Sequence, residues 1–385
     1  MTPFVPFLLW LLLFGVWFLR RPWPLWRKIA VGFGLCVLIF PYHLLRGCTN
    51  YQLIDGVEKW PYAVWLVAQF LYCCAAFLGS FAVLELLLYY ASKRYCRKKG
   101  CAWRYPHYRI RIFCGMLLCS VLLSAAGIWF SLMEPPVRDY TVELENYPAG
   151  AGELRIAAVS DLHFDPVYGQ RYAARIVDLL NSLKPHVIFL LGDFTNTRDG
   201  LSDAVLAELK KLSAPEGVYA VTGNHEYYPE GRENFRRINS IGIPFLCNES
   251  LKLKNFDLYL AGVNDSWTEK LVFSPGNRES YLPEIPLAVR NIPKGKPVIL
   301  LCHKPRYFED AASNGVGLQL SGHTHGGLFP VLHWFFALTQ HYTSGIYTCG
   351  KAKMIVSSGT GIWCGFPCRL GIRGEVLLVK VRRSR

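Results

Sequence analysis

Five short groups of residues between positions 161 and 325 carry side chains from which a metal centre can be built. They are Asp161-Leu162-His163, Gly192-Asp193, Gly223-Asn224-His225-Glu226, His303, and Gly322-His323-Thr324-His325. Carboxylates, imidazoles and an amide suit borderline divalent cations such as Mn, Fe or Zn better than they suit Ca. Two such cations roughly 3.5–4 Å apart can polarise a phosphoryl oxygen and supply hydroxide at neutral pH. The chemistry this pattern points to is therefore two-metal hydrolysis of a phosphate ester. A lone His or Asp is more commonly a surface or satisfied core residue, but five of the 10 histidines stand in these groups, and chance is a poor account of that. His186 follows Pro185 outside any group and reads as a surface residue at the start of a strand. His333 and His341 read as loop or substrate-wall residues.

The elements that must position these side chains are visible just before them. Leu154 to Ser160, Val187 to Leu191, Val218 to Thr222, Val298 to Cys302 and Leu318 to Ser321 are short apolar runs rich in branched residues, the pattern of buried strands. Each group follows such a run directly. In layered α/β folds the carboxyl ends of strands open on one crevice, so ligands more than a hundred residues apart can meet there. Gly192, Gly223 and Gly322 suit the tight turns this requires.

The order D-x-H, G-D, G-N-H-[ED], H, G-H-x-H resembles the calcineurin-like metallophosphoesterase family, from Arg155 to about Val381. The resemblance implies an α/β domain of two packed mixed β-sheets flanked by helices, an αββα sandwich. It implies two divalent metal ions, Mn, Fe or Zn before Mg. Asp161, His163 and His325 would hold the first and Asn224, His303 and His323 the second, with Asp193 bridging. His225 resembles the family's non-ligand imidazole, which contacts the scissile phosphate and protonates the leaving oxygen, and Asn224 would help to stabilise the developing charge. Farther on, Val356-Ser357-Ser358-Gly359-Thr360-Gly361, Pro367-Cys368-Arg369-Leu370-Gly371 and Glu375-Val376 resemble the membrane-associated branch of the family. That branch takes in YkuE-like, YaeI-like and UDP-2,3-diacylglucosamine pyrophosphatase-like enzymes. Arg369 could contact a second phosphate as a planar cation or serve as an internal ion-pair partner. Leu328 stands where close relatives typically carry Gln, so a polar substrate contact is not expected there.

Composition sets the wider frame. With 52% hydrophobic and only 18% charged residues in 385, the chain is too apolar for a wholly soluble protein, and the excess lies in the first third. Four stretches there read as membrane helices: Phe4 to Leu19, Ile29 to Leu45, Tyr62 to Ala91 and Ile110 to Leu132. A span needs about 20 apolar residues, which the last two supply. Met1-Thr2-Pro3 lacks the basic start of a signal peptide. Arg20, Arg21, Arg27 and Lys28, and then Lys93, Arg94, Arg97, Lys98, Lys99, Arg104, Arg109 and Arg111, lie in or beside two short loops, which by charge face the cytoplasm. The expected organisation is an all-α membrane domain of about four spans over 1–133, a connector over 134–150, and a metallophosphoesterase domain over 151–385 outside the cytoplasm.

These loops explain much of the net charge of +14, so no nucleic-acid partner is expected. The basic tail of Lys380, Arg382, Arg383 and Arg385 reads as a solvated terminus or a contact for anionic headgroups. Glu85, the one acidic residue deep in an expected span, reads as a partner of the basic cluster beginning at Lys93, or as a functional polar site. Cys364 and Cys368 share a turn-rich segment and could pair in an oxidising compartment or stay reduced. The apolar run from Gly326 to Leu338 reads either as a core connection or as a wall admitting a lipid-linked ester. The expected partners are therefore the bilayer and a lipid-linked or cell-envelope phosphate ester. A UDP-2,3-diacylglucosamine pyrophosphatase-like lipid A enzyme is one alternative. An inactive scaffold or sensor is another, though no ligand is missing.

Overall fold

The computed structural model describes residues 15, 24–51, 59–102, 105–228, 231, 233–270, 282–328, 333, 341–363 and 365–384. The chain divides into two compact units: one runs to Trp129, and the other runs from Phe130 to Arg385 and takes in Thr49–Tyr51.

The first unit is helical, with α1 (Leu25–Tyr51), α2 (Tyr62–Lys99) and α3 (Tyr105–Leu132), the last turn of which belongs to the second unit. Helix α2 ends on Arg97, Lys98 and Lys99, which favour the negative end of the helix dipole, and Gly100 closes it with a left-handed φ of 66°. Two stretches, Tyr62–Lys99 and Ile110–Leu132, are long and apolar enough to cross a membrane. Of the two shorter expected spans, Phe4 to Leu19 lies outside the described residues apart from Gly15. Ile29 to Leu45 falls inside α1, where the apolar segment Gly32–Arg46 is shorter than a span. Glu85 is buried, at 5% exposure.

The second unit is an α/β sandwich. In chain order it contains β1 (Val137–Leu144), β2 (Leu154–Val159), α4 (Gln170–Ser182), β3 (Val187–Leu190), α5 (Asp203–Leu209), β4 (Val218–Ala220), α6 (Asn234–Ser240), β5 (Glu249–Lys252) and β6 (Tyr259–Gly262). It continues with α7 (Ile285–Val289), β7 (Val298–Leu301), α8 (Phe308–Ser313), β8 (Leu318–Ser321), β9 (Gly345–Cys349), β10 (Ala352–Val356) and β11 (Val376–Arg383). One sheet has the order β1-β11-β2-β3-β4 and the other β5-β6-β7-β8-β10-β9. Both are mixed, because β11 runs antiparallel to β2, and β5 and β9 run antiparallel to their neighbours. All five apolar runs that precede the candidate ligands are strands, and each is parallel to at least one other of the five.

Alternation along the strands assigns the two faces. Ile156, Ala158, Phe189, Ile299, Leu301, Leu320, Leu377 and Val379 share the core between the sheets. Ala157 and Val159 point the other way, onto Tyr172, Ala173, Ile176 and Val177 of α4, while Val298 and Leu300 meet Ile285, Ala288 and Ala311 of α7 and α8. A period of two with both faces apolar is what a sheet covered on both sides requires.

Two expectations change here. The connector over 134–150 contains β1, an edge strand paired with β11 along its whole length. Pro135 and Pro136 are compatible with this, because proline is tolerated just before an edge strand. The basic tail is a solvated terminus only in part, because it runs along β11: Lys380 pairs with Asp139 at 2.5 Å and Arg382 with Glu143 at 2.9 Å across β1 and β11, while Arg382 and Arg383 stay exposed. If the sheets share one core, Phe189→Ala should lower the unfolding free energy of the detergent-solubilised chain by about 3–5 kcal/mol. The check is a denaturant midpoint that falls at unchanged slope, and a loss below about 1 kcal/mol would contradict a shared core.

Candidate metal centre

The two sheets deliver the candidate ligands to one place, from turns at the carboxyl ends of β2, β3, β4, β7 and β8. Three groups of ligand atoms each lie within 4.8 Å of one another: Asp161 with His163 and His325, Asp193 with His303 and His323, and His163 with Asp193 and His225. Asp161, His163, Asp193, Asn224, His225, His303 and His325 are buried, and His323 is partly so. Asp193 and His163 each belong to two of the groups, and the group they share connects the other two.

The backbone of this region is unusual. Asp161, His163, Asp193, His323 and His325 all have positive φ, between 49° and 72°, a region that L residues other than Asn and Asp seldom enter. Each such residue costs on the order of 1–3 kcal/mol and persists only where its surroundings enforce it. The enforcement is visible in the turns: Asp161 N donates to Gly192 O at 3.0 Å, His163 N to Asp193 O at 3.1 Å, and Phe164 N to Phe194 O at 2.7 Å. Only Gly192 of the three motif glycines has a positive φ, at 87°. Gly223 and Gly322 are needed instead for close approach: a Cβ on Gly223 would lie 2.3 Å from Asp193 Oδ1, and one on Gly322 would lie 1.6 Å from Ser160 Oγ.

Hydrogen bonds aim the rings. His303 Nδ1 donates to Leu191 O at 2.6 Å, which turns Nε2 toward Asp193 Oδ2, 3.3 Å away. His225 Nδ1 donates to Thr195 O at 2.8 Å, leaving Nε2 for the interior of the site. His163 Nε2 and His325 Nε2 face each other at 3.0 Å, and His325 Nε2 lies 3.4 Å from Asp161 Oδ1. Ligands bound tetrahedrally at about 2.0–2.1 Å stand roughly 3.3–3.4 Å apart, so these separations are those of ligand atoms around one cation. Asp161 Oδ1, Asn224 Oδ1 and His303 Nε2 are buried without a hydrogen-bond partner, and all three belong to expected ligands. Orphaned buried donor atoms of this chemistry fit a pair of divalent cations.

Electrostatics agree with the donor set. Burial pushes the Asp193 carboxyl up, but His303, His225 and His163 together carry it well below the usual carboxylate range. Burial drives His163, His323 and His325 well below the usual imidazole range, leaving them neutral as ligands must be. Burial also opposes the proton on His303, yet Asp193 outweighs it and holds that ring up at about 10. A cation takes the place of such a proton on binding.

Several contributors were not assigned roles from the sequence. Glu226 is buried behind Asp193 and accepts from Asp193 N at 2.9 Å, Phe194 N at 2.9 Å and Gly223 N at 2.7 Å, so it holds both ligand turns. Its place in the G-N-H-E group was the available signal. Asp265 pairs with Lys304 at 2.7 Å, directly beside His303, and Lys304 depresses His323, second only to burial. Asp265 follows the apolar run of β6, so the rule that found the other carboxylates also applies to it. Tyr228 accepts from Asn224 Nδ2 at 3.1 Å and packs edge-on against Trp267 at 4.9 Å, which makes an aromatic wall beside the second group.

Arg369 does not present an open face to a substrate. It is 1% exposed, and its guanidinium contacts the carbonyls of Gly359 and Gly361 and the His325 ring, at 3.2, 2.6 and 3.3 Å. This is an internal role, with carbonyls in place of a carboxylate. Leu328 is buried, with φ of 62°. Residues 329–332 and 334–340 of the expected apolar wall lie outside the described residues, as does Cys364, while Cys368 is a free buried thiol. His186 supports the first sheet, its Nδ1 accepting from Arg155 N at 2.9 Å. Because Glu226 satisfies three buried amides, Glu226→Ala should destabilise the chain by about 3 kcal/mol or more and lower its metal content together with its unfolding midpoint. A variant of wild-type stability would show that the amides find other partners.

The sequence matches the model of the calcineurin-like phosphoesterase family over residues 154–327. It is 34% identical over 248 residues to an uncharacterized metallophosphoesterase of Aquifex aeolicus, covering 64% of this chain and 91% of that one. It is 29% identical over 278 residues to a transmembrane protein with metallophosphoesterase domain of Danio rerio, covering 70% of this chain but only 62% of that relative. Against the uncharacterized metallophosphoesterase YkuE of Bacillus subtilis it is 24% identical, over 70% of this chain and 95% of that one. With ligand turns, strand order and matched region in agreement, this chain belongs to the calcineurin-like metallophosphoesterase family.

Proposed function

We propose that the chain is a membrane-anchored, dinuclear metal-dependent phosphoesterase that acts on a lipid-linked or cell-envelope phosphate ester. The observation that carries the hydrolytic reading is that the group of Asp161, His163 and His325 and the group of Asp193, His303 and His323 are joined through His163 and Asp193, which lie together with His225. When bound, two divalent cations supply a nucleophilic hydroxide at neutral pH and neutralise charge on the phosphoryl group. The chain's own residues do the rest. Asp193 Oδ1 accepts from His225 N at 2.8 Å, which keeps the imidazole next to the shared carboxylate. With Nδ1 committed to Thr195 O, His225 can present a proton only at Nε2, where the leaving oxygen of an ester would sit. The Asn224 amide is steadied by Tyr228, and its buried oxygen is left without a hydrogen-bond partner, as a ligand atom would be.

The membrane reading is supported by two helices of sufficient length and apolarity and by the relative described as a transmembrane protein. The basic residues clustered at the end of α2 and the start of α3 support a cytoplasmic position for that end under the positive-inside rule, and an external one for the phosphoesterase unit that follows α3. That side favours a lipid-linked or envelope ester over a nucleotide-activated lipid.

In the detergent-solubilised chain, manganese-dependent cleavage of bis-p-nitrophenyl phosphate should be lost in Asp193→Asn together with most bound metal. His225→Ala should keep both ions and lose about 10²–10⁴-fold in kcat. Full activity in Asp193→Asn would refute the assignment. A topology reporter fused after Arg385 should report outside the cytoplasm, and cytoplasmic activity of that reporter would revive a nucleotide-activated lipid as substrate.

A further inference from the structure

The loop between β10 and β11 is wedged against the first ligand group. Thr360 N donates to Ser160 O at 2.7 Å and Gly361 N to Asp161 O at 2.8 Å. A Cβ on Gly361 would lie 2.1 Å from Leu162 O, and one on Gly359 would lie 3.1 Å from His325 Nδ1 and 3.2 Å from Asp161 Cβ. No side chain fits between this loop and the two ligands, so the loop's position and theirs are one variable.

Arg369 fixes that position from behind. Its Nη2 donates to Gly361 O at 2.6 Å and Gly359 O at 3.2 Å, its Nε to Gly361 O at 3.2 Å, and Nη2 also stands 3.3 Å from His325 Nδ1. A guanidinium has donors only, so it holds the Nδ1 edge of the ring and leaves Nε2 to face Asp161. Burying a cation among carbonyls is costly, and no gain in packing alone calls for arginine here.

The same loop is stitched on its other side to the residues that follow the last apolar helix. Arg369 N donates to Ser131 Oγ at 2.9 Å, Arg373 Nη2 to Glu134 O at 3.0 Å, and Val376 N to Pro136 O at 3.0 Å. Arg138 meets Glu375 at 3.7 Å, and Glu375 accepts from Ser358 N at 2.7 Å. Among the described residues, the loop's hydrogen bonds reach the turns of Asp161 and His325 and not those of Asn224 or His303.

We propose that Arg369 is the positioning residue of the first metal group, and that Ser131, in the last turn of α3, is the other end of the same brace, so that the exit of the helix supports Asp161 and His325 but not the second group. This rests on the two-metal reading above.

The test uses the full chain in detergent, loaded with Mn²⁺ alone and read by bound manganese per chain and by the electron paramagnetic resonance of a coupled manganese pair. Wild type should hold two ions with the coupled signal, whereas Arg369→Gln should hold about one, with an isolated-ion signal. Arg369→Lys, which keeps the charge but not the fork, should fall between. Ser131→Ala, which leaves the fold intact, should weaken the first ion about 10-fold or more, the scale of second-layer substitutions at metal sites, and leave the second ion unchanged. Arg369→Gln in a His323→Ala background should abolish the remaining ion. Two tightly held, coupled ions in both Arg369→Gln and Ser131→Ala would overturn the brace and leave the two-metal reading standing. If Arg369→Gln does not fold, unchanged affinity in Ser131→Ala is sufficient to overturn it. Absence of both ions from the wild type would refute the two-metal reading itself.

Discussion

A buried carboxylate with no lysine or arginine paired to it among the described residues is the constraint around which this site is organised. Asp193 is almost wholly inaccessible, and ionising it there costs several kcal/mol unless positive charge or donors surround it. The structure supplies them through His225 N on Oδ1 and the imidazoles of His303, His225 and His163, while behind it a second carboxylate, Glu226, ties the backbone of Asp193 to that of Gly223. Two carboxylates in one pocket repel each other, and burial and Asp193 together push Glu226 up. The arrangement is economical only if more positive charge arrives, and a pair of divalent cations is the arrival that relieves every strained element at once.

That constraint accounts for the backbone. Ligands supplied by helices or strands inherit the spacing of the element, whereas ligands on turns can be aimed individually, at the cost of left-handed backbone. Five ligand residues accept that cost here, and the turns carrying them hydrogen-bond to one another. Glycines then appear where two turns meet, not merely where one bends: the strand-end turns of β3 and β4 touch at Gly192 and Gly223, and those of β2 and β8 touch at Gly322. Preorganisation of this kind costs stability in the free protein and spares reorganisation when charge develops in the site.

What could be read from the sequence follows the same division. Ligand identity was legible because few side chains can replace His or Asp at a metal, and strand assignment was legible because branched apolar runs stand directly before the ligands. The two-sheet sandwich was implied by the family resemblance, and those runs supplied its central strands. Less legible were the groups whose partners are backbone: Glu226 reads as one letter of a motif until its three amides are seen, and Arg369 reads equally as a phosphate contact or an ion-pair partner because carbonyl partners leave no trace in a sequence. The β1 strand was hidden by Pro135 and Pro136, which argue for a stop and are silent about an edge strand just beyond. Of the expected spans, the two long ones stood out by length alone, whereas the shorter segment in α1 does not reach the length at which composition becomes decisive.

The topology also dictates when the site can form. Strand β2, which carries Asp161 and His163 at its end, is flanked by β3 on one side and by β11, the last strand of the chain, on the other. The first sheet therefore cannot close until residues after 376 are in place, and β1, which leads out of the last helix, pairs only with β11. Loop-closure entropy makes pairings this distant in sequence slow to form. The second group draws on β3, β4, β7 and β8, whose connections are shorter and whose ligand turns meet at Asp193 without help from the C-terminal strand. The two halves of the centre are thus unequal by construction: one is assembled from neighbouring strands, and the other is completed only when the two ends of the α/β unit lock together beside it. A chain built this way can gather the second group early, but it completes its full set of ligands only when β11 has joined the first sheet.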